Sequence, residues 1–204
     1  MRIRTKLASA GAAVALVGGT LTVAAAPAQA APAPCNYAGW NNGLKNATNP
    51  TEGFVSDIDA GRHRCYERIV IRRSGDSWPG YDIRYVNAAY TDGEGAYVPM
   101  GAGNKVLRVM IDSPAYNHFG MATTPNVAKK NLRTWTNAAH TKWATINFGS
   151  YHRIKVGKWL GSFEGQSSFA LGIKGEKRKF RVFTANSHRD LVIDVAAFNP
   201  DLKS

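Results

Sequence analysis

Hydrophobic and polar residues alternate with a period of two along several short stretches of the chain. In Tyr81–Val86, the two tyrosines and Ile83 fall on one face of an extended chain, and Asp82 and Arg84 fall on the other. Leu191–Val195 repeats the pattern, with a bulky apolar residue at every second position. Because successive side chains of a strand point to opposite faces of a sheet, this alternation predicts half-buried β-strands.

Other short runs rich in β-branched and aromatic residues extend this prediction. Turn-forming segments such as Ser74–Asp76 and Asp92–Gly95 separate them. The runs are Tyr66–Arg73, Val98–Met100, Val106–Ile111, Trp143–Phe148, Tyr151–Val156, Ser168–Ile173 and Phe180–Phe183. Frequent short strands without a sustained helical period predict an all-β fold, a β-sandwich of about seven to nine short, mostly antiparallel strands.

We assign this sandwich to residues 62–197, between an N-terminal arm at 31–61 and a C-terminal tail at 198–204. Residues 114–142 interrupt the strand pattern and are interpreted as a long connection between two sheets, with room for one short helix within Val127–Thr136. The inward positions of the strands supply the expected core: Ile69, Ile71, Ile83, Val109, Phe169, Leu171, Val182, Ile193 and Val195.

The first 30 residues have the composition of a secretory signal peptide. Arg2, Arg4 and Lys6 precede a long run of Ala, Val, Leu and Gly, which ends in Ala28-Gln29-Ala30. A basic region, an apolar region and a small-x-small site predict export and cleavage near Ala30. A retained membrane anchor is the alternative, which the Ala/Gly-diluted run and the cleavage pattern disfavour. We therefore expect a secreted, extracellular protein.

Two cysteines, Cys35 and Cys65, follow the predicted cleavage site. In an oxidising compartment, two cysteines leave one pairing, and we expect a disulfide bond that ties the arm to the first strand of the core. A pair of reactive free thiols is the alternative, but it requires a nearby base or a redox setting, and the sequence indicates neither.

The chain is basic, with 26 Lys and Arg against 14 Asp and Glu, for a net charge of +12. Two groups of basic and aromatic residues stand out as candidates for binding. One lies along the first strand and its neighbour, and the other around a predicted late hairpin: Tyr66, Arg68, Arg72 and Tyr81, then Lys174, Lys177, Arg178, Lys179 and Arg181. A basic sheet surface suits polyanions, namely teichoic acid, acidic glycans or nucleic acid. The alternative is that the positive charge only keeps the protein soluble.

The sequence contains none of the common catalytic or nucleotide-binding motifs. Its five histidines lack metal-ligand spacing, so we predict no metal site and no cofactor. Glu164 stands in a Gly-flanked segment, where a general acid is conceivable. A turn-forming acid is the better interpretation, and we expect a protein that is not an enzyme.

Several short segments, taken in order, form a pattern that is shared with a known family. They are Gly61–Val70, Pro79–Val86, Asp92–Pro99, Asp112–Tyr116, Gly161–Gly165, Ser168–Ile173, Phe180–Phe183 and Leu191–Val195. Together they resemble the AMIN-like domain of secreted actinobacterial proteins. Cys35 and Trp40 also resemble the Cys-x-x-x-x-Trp arm of secreted members, which supports pairing Cys35 with Cys65.

The resemblance implies a binding module. AMIN domains are small β-sandwiches of bacterial cell-envelope proteins that bind peptidoglycan and localise their host protein. The expected function is therefore a secreted, cell-wall-associated module that binds peptidoglycan or a teichoic-acid-like polyanion, with nucleic acid a less favoured partner. The alternatives are a small secreted hydrolase that pairs a histidine with Glu164, and a protein-partner or inhibitor module that uses a sheet edge.

Overall fold

The computed structural model describes residues 34–49, 53–77, 79–101, 103–116, 132–136 and 142–197, and for 132–136 and 142–144 it describes only the backbone. The predicted signal peptide at 1–30 and the tail at 198–204 lie outside the described residues. Within those residues all regular secondary structure is β, so no helix there is long and apolar enough to cross a membrane.

Thirteen strands make up the described part of the chain. They are β1 (Lys45–Ala47), β2 (Val55–Arg62), β3 (Tyr66–Arg73), β4 (Tyr81–Val86), β5 (Ala89–Tyr90), β6 (Tyr97–Val98), β7 (Lys105–Ile111), β8 (Leu132–Thr136), β9 (Lys142–Asn147), β10 (Ile154–Phe163), β11 (Gln166–Ile173), β12 (Phe180–Ala185) and β13 (Asp190–Ala196). The count exceeds the predicted seven to nine, because bends and short edge pairings divide segments that the sequence pattern treats as loops.

The strands form two large antiparallel sheets and one small hairpin. A seven-stranded sheet has the order β1-β4-β7-β11-β10-β9-β8, and a four-stranded sheet has the order β12-β13-β3-β2. Among the strands that the structure describes, β5 and β6 pair with each other and with no third strand. Apolar residues from both large sheets join in one buried cluster, so the sheets pack face to face and the predicted β-sandwich is confirmed.

The predicted core is confirmed with one exception. Eight of the nine residues are at most 4% exposed, which matches the alternation read from the sequence. Val182 is only partly buried against the cluster. It lies on β12, an edge strand of the four-stranded sheet. One side of an edge strand has no neighbouring strand to cover it, so correct inward orientation does not give full burial.

Two further predictions are wrong in part. Residues 132–136 of the proposed helix form β8, which pairs with β9; the earlier residues of that segment lie outside the described ones. The basic segment after β11 is not a hairpin, because β11 and β12 lie in different sheets. It is the connection that carries the chain from one sheet to the other.

The Cys35–Cys65 disulfide is present, with 5.4 Å between the Cα atoms. It joins the N-terminal region to the residue just before β3. Residues 55–61, which the sequence analysis placed in the arm, belong to β2 and pair with β3. The arm therefore contributes a strand to the sandwich and also lies against the end of the four-stranded sheet.

Two charged side chains on the inner face of β3 form hydrogen bonds with segments next to strands of the seven-stranded sheet. Glu67 is fully buried and accepts backbone N–H bonds from Arg153 at 3.1 Å and Ile154 at 2.7 Å. At the other end, Arg73 donates to Ser113 Oγ at 3.0 Å. Buried polar groups are tolerated where they are paired in this way.

Candidate functional site

The outer face of the four-stranded sheet, opposite the core, carries four of the nine basic and aromatic residues predicted to bind a ligand. Strand alternation places Tyr66, Arg68 and Arg72 of β3 on this face, while Ile69 and Ile71 point into the core. Strand pairing sets Arg181 of β12 beside Asp194 of β13, and Asp194 beside Arg68. The three side chains therefore form one row across the sheet.

Asp194 holds both arginines of this row. Arg68 donates from Nε to one carboxylate oxygen at 2.6 Å and from Nη2 to the other at 2.9 Å. Arg181 donates to Asp194 Oδ2 from Nε at 2.9 Å and from Nη2 at 2.7 Å. The Asp194 side chain is fully buried, whereas the Arg68 and Arg181 side chains keep 27% and 42% of their surface. One buried carboxylate thus orients two guanidinium groups and leaves an excess of one positive charge.

Aromatic rings surround the two guanidinium groups. Arg181 lies 4.7 Å from the Trp40 ring centre and 4.9 Å from that of Phe183. Arg68 lies 5.0 Å from the Tyr66 ring centre. These distances are within the range of cation–π interactions. We call the set of Trp40, Tyr66, Arg68, Arg181 and Phe183, with Asp194 beneath it, the aromatic–arginine platform.

The disulfide-bonded arm supplies the tryptophan of the platform. The arm begins at Cys35, and Tyr37 packs edge-on against Trp40 with 5.3 Å between ring centres. The Tyr37 hydroxyl donates to the backbone oxygen of Cys65. On the far side of Tyr66, His63 stacks at 4.4 Å. The disulfide and these ring contacts fix Trp40 at the edge of the sheet face.

The other end of the same sheet face is acidic. Arg72 pairs with Asp59, and its guanidinium also lies 3.5 Å from Asp190 and 3.9 Å from Asp57. Three carboxylates around one guanidinium leave an excess of two negative charges. We call Arg72 and these three aspartates the acidic end. The hydrogen bond from Arg72 to Asp59 raises the pKa of Arg72.

Tyr81 does not join Tyr66. It lies on β4 in the seven-stranded sheet and packs, partly buried, against the core. Burial raises the pKa of its hydroxyl.

The residues of the β11–β12 connection divide between surface and interior. Lys174 and Lys177 are exposed, whereas Arg178 is buried. Lys177 Nζ lies 5.9 Å from the Tyr85 ring centre. Arg181, just inside β12, reaches the platform, and Lys179 lies partly buried just before that strand. The structure thus brings Tyr66, Arg68 and Arg181 together, places Arg72 at the acidic end of the same face, and puts Tyr81 in the other large sheet.

Sequence reasoning did not identify three members of the platform as binding residues: Trp40, which was noted only as part of the arm, Phe183 and Asp194. Asp194 carries a recognisable signal, since it is the one charged residue inside the apolar run Leu191–Val195. A charged side chain at a strand position is rarely buried unless it is paired. Its partners could not be read from the sequence, because Arg68 precedes it by 126 positions.

The geometry of the platform suits a ligand with flat apolar faces and an acidic group. Ring faces bind the apolar faces of sugars, and guanidinium groups engage carboxylate or phosphate. The described residues contain no group of three or more His, Cys, Asp or Glu side chains placed to hold a metal ion.

These features define a disulfide-tethered antiparallel β-sandwich with a polar, aromatic outer face. The family model of the AMIN-like domain matches residues 53–197, and the chain belongs to that family. The match begins just before β2. No curated protein and no solved structure matches the chain.

Proposed function

We propose that this protein is a secreted, non-catalytic module of the cell envelope that binds peptidoglycan or an attached anionic polymer through the aromatic–arginine platform. The observation that carries the proposal is the placement of two partly exposed arginines between the rings of Trp40, Tyr66 and Phe183. Membership of the AMIN-like family supports an envelope role.

The platform is preorganised for binding. Asp194 fixes both guanidinium groups, so a ligand meets side chains whose conformations are already restricted. Ordering flexible side chains on binding costs about 0.5–1.5 kcal/mol for each. The basic connection, with exposed Lys174 and Lys177, would add a longer-range attraction that weakens with salt.

A secreted hydrolase is the second candidate. The sequence pointed to Glu164 as its acid, and Glu164 lies exposed in the turn between β10 and β11 with a positive φ of 49°. That backbone conformation is common in tight hairpin turns, which favours a turn-forming role. We therefore propose the binding function ahead of the hydrolase.

Binding to purified cell-wall sacculi tests the proposal. The informative variants are Arg181→Gln and Trp40→Ala, since Arg68 still satisfies Asp194 when Arg181 is removed. We expect each to weaken sacculus binding by about tenfold or more, the effect of losing a charge-assisted contact or an aromatic anchor. Sacculi with and without teichoic acid identify which polymer carries the interaction.

Arg72→Gln is the matched control, because Arg72 occupies the same sheet face and is already enclosed by carboxylates. Its binding should stay within about twofold of the parent. Thermal unfolding of each variant separates lost binding from lost structure. If Arg181→Gln, Trp40→Ala and the parent bound sacculi equally at physiological salt, the proposed binding by the platform would be wrong. The positive charge would then be explained by solubility alone.

Export is tested separately. We propose that cleavage near Ala30 releases the protein to the cell exterior or the wall. Mass spectrometry of the extracellular protein should find an N-terminus close to Ala31 and no free thiol, as expected for a bonded Cys35–Cys65 pair. Alkylation of both cysteines without reduction would contradict the oxidised state.

A further inference from the structure

Arg178, in the β11–β12 connection, is a buried arginine with unused hydrogen-bonding capacity. Only 4% of its surface is exposed. Its backbone is held by Tyr85, whose hydroxyl accepts from the Arg178 N–H at 2.8 Å and donates to the Arg178 carbonyl at 3.0 Å. The buried Nε and Nη1 atoms of its side chain have no hydrogen-bond partner among the described residues.

The guanidinium group of Arg153 lies near the third nitrogen of the Arg178 side chain, Nη2, beside Gly175. A Cβ atom built on Gly175 would lie 3.7 Å from Arg178 Nη2 and 3.8 Å from Arg153 Nη1. Arg153 is held in place because its Nε donates to the Ala197 carbonyl at 2.9 Å. Gly175 has a φ of 86°, and it and Arg153 are both partly exposed. The pair is therefore open to solvent at Arg153 and Gly175, and Arg178 lies beneath them.

The surroundings do not neutralise the pair. No carboxylate in the described part of the chain forms an ion pair with Arg178 or Arg153; Glu176, on the same connection, is exposed and acts on Arg178 only at a distance. Burial, and then the charge of Arg153, lower the pKa of Arg178. Burying a charged group without partners is costly, and an unmet N–H donor adds to the cost.

We propose that Arg153 and Arg178 form a binding site for a single oxyanion, a carboxylate or phosphate group. An oxyanion between the two guanidinium groups would provide acceptors for the unpartnered donors and offset the repulsion between the cations. Arginine is suited to this task because its planar fork binds such groups in a bidentate manner. The site does not depend on the aromatic–arginine platform and stands whether or not that platform binds a polymer.

NMR of the arginine Nε–Hε groups of the unmodified protein tests the site directly. Phosphate and acetate are titrated separately at constant ionic strength, with chloride as the replaced anion. We expect the Arg178 Nε–Hε signal to shift and saturate with at least one of them. The Arg84 signal serves as the control, because that side chain is exposed and already paired with Asp82. The two titrations distinguish a carboxylate ligand from a phosphate ligand.

Variants extend the test. Arg178→Gln and Arg153→Gln should each weaken binding of that anion by about tenfold or more, as expected for loss of a charge-assisted contact. Arg84→Gln should bind it like the parent. If Arg178→Gln does not fold, the titration of the parent protein alone decides the question.

Two results would overturn the proposal. One is the absence of a saturable Arg178 shift with both anions, and the other is unchanged affinity in the folded variants. Sacculus binding by the platform variants is a separate readout, so the two proposals can fail independently.

Discussion

The two ends of the outer sheet face contain arginines from the same strand but have opposite electrostatic character. Around Arg68, two guanidinium groups share one buried carboxylate, and aromatic rings enclose them. Around Arg72, three carboxylates share one guanidinium, and 45% of that side chain is exposed. The two arginines are four positions apart, and both point to the same side of β3.

The difference shows that the number of arginines on a strand does not set the charge of its surface. Asp194 and Arg181 reach Arg68 from β13 and β12, whereas Asp57 and Asp59 reach Arg72 from β2. The strand order β12-β13-β3-β2 thus decides the partners of each arginine. The platform keeps a positive excess that is available to a ligand, and the acidic end does not.

Removing the disulfide should have the largest effect, and it should act on the platform end. Replacing Cys35 and Cys65 with Ser opens a loop spanning 30 positions, and the chain-entropy model predicts a loss of about 3.6 kcal/mol in the free energy of unfolding. Urea unfolding measures the loss. Amide hydrogen exchange should increase most around Trp40, with little local change at Asp57 and Asp59. A loss below about 1 kcal/mol would show that other contacts hold the arm.

Two aspartates of β13 provide a matched pair for the next prediction. Asp194→Ala should lower the free energy of unfolding by about 3 kcal/mol, because it strips four hydrogen bonds from two arginines at a buried position. Asp190 is also buried, but its side chain makes one long contact of 3.5 Å with an exposed arginine, so Asp190→Ala should cost about 1 kcal/mol or less. Equal losses in urea unfolding would contradict the proposed difference between the two ends.

The pair at the acidic end should contribute little. Arg72→Gln and Asp59→Asn, combined in a double-mutant cycle, should give a coupling energy of about 0.2–1 kcal/mol, as is usual for exposed ion pairs. Both side chains are more than 40% exposed. The coupling should fall further in 1 M salt, which screens charges beyond roughly 3 Å. A coupling above about 2 kcal/mol would mean that this end is as ordered as the platform.

The smallest effect concerns pH. Burial, and then the charge of Asp59, raise the pKa of Asp57 in the folded protein. Asp57 then binds a proton more tightly in the folded state than in the unfolded state. The stabilisation that protonated Asp57 contributes at low pH is therefore lost as the pH rises through the folded pKa. Asp57→Asn should therefore stabilise the protein slightly at pH 7, by less than about 0.5 kcal/mol, and have a smaller effect in acid.

Asp82→Asn is a control of opposite sign. The hydrogen bond from Arg84 lowers the pKa of Asp82, so its contribution is present at neutral pH and is lost as the pH falls through the folded pKa. This variant should be less stable than the parent at pH 7, and the difference in stability should become smaller in acid. Thermal unfolding across the pH range measures both. The same pH trend in the two variants would refute these assignments.

Much of the fold could be predicted because its signals are local. The alternation in Tyr66–Arg73 and Tyr81–Val86 corresponds to β3 and β4 with the same boundaries. The residues placed inward, such as Ile69 and Ile83, are fully buried. The candidate site was harder to predict, since Tyr66, Arg68 and Arg181 were identified without the carboxylate that joins the two arginines.

By itself, the sequence determined properties that depend on neighbouring residues and on simple counting. A period of two assigns side chains to faces, and two cysteines in an oxidising compartment leave one pairing. The tertiary structure alone decided which charges meet. Arg68, Arg72 and Arg178 each lie in a segment with other basic residues nearby. Yet Arg68 is held by Asp194, Arg72 lies among three aspartates, and Arg178 is buried near Arg153. Electrostatic environment depends on distances of a few ångströms between groups far apart in the chain, and only the order and packing of the strands set those distances.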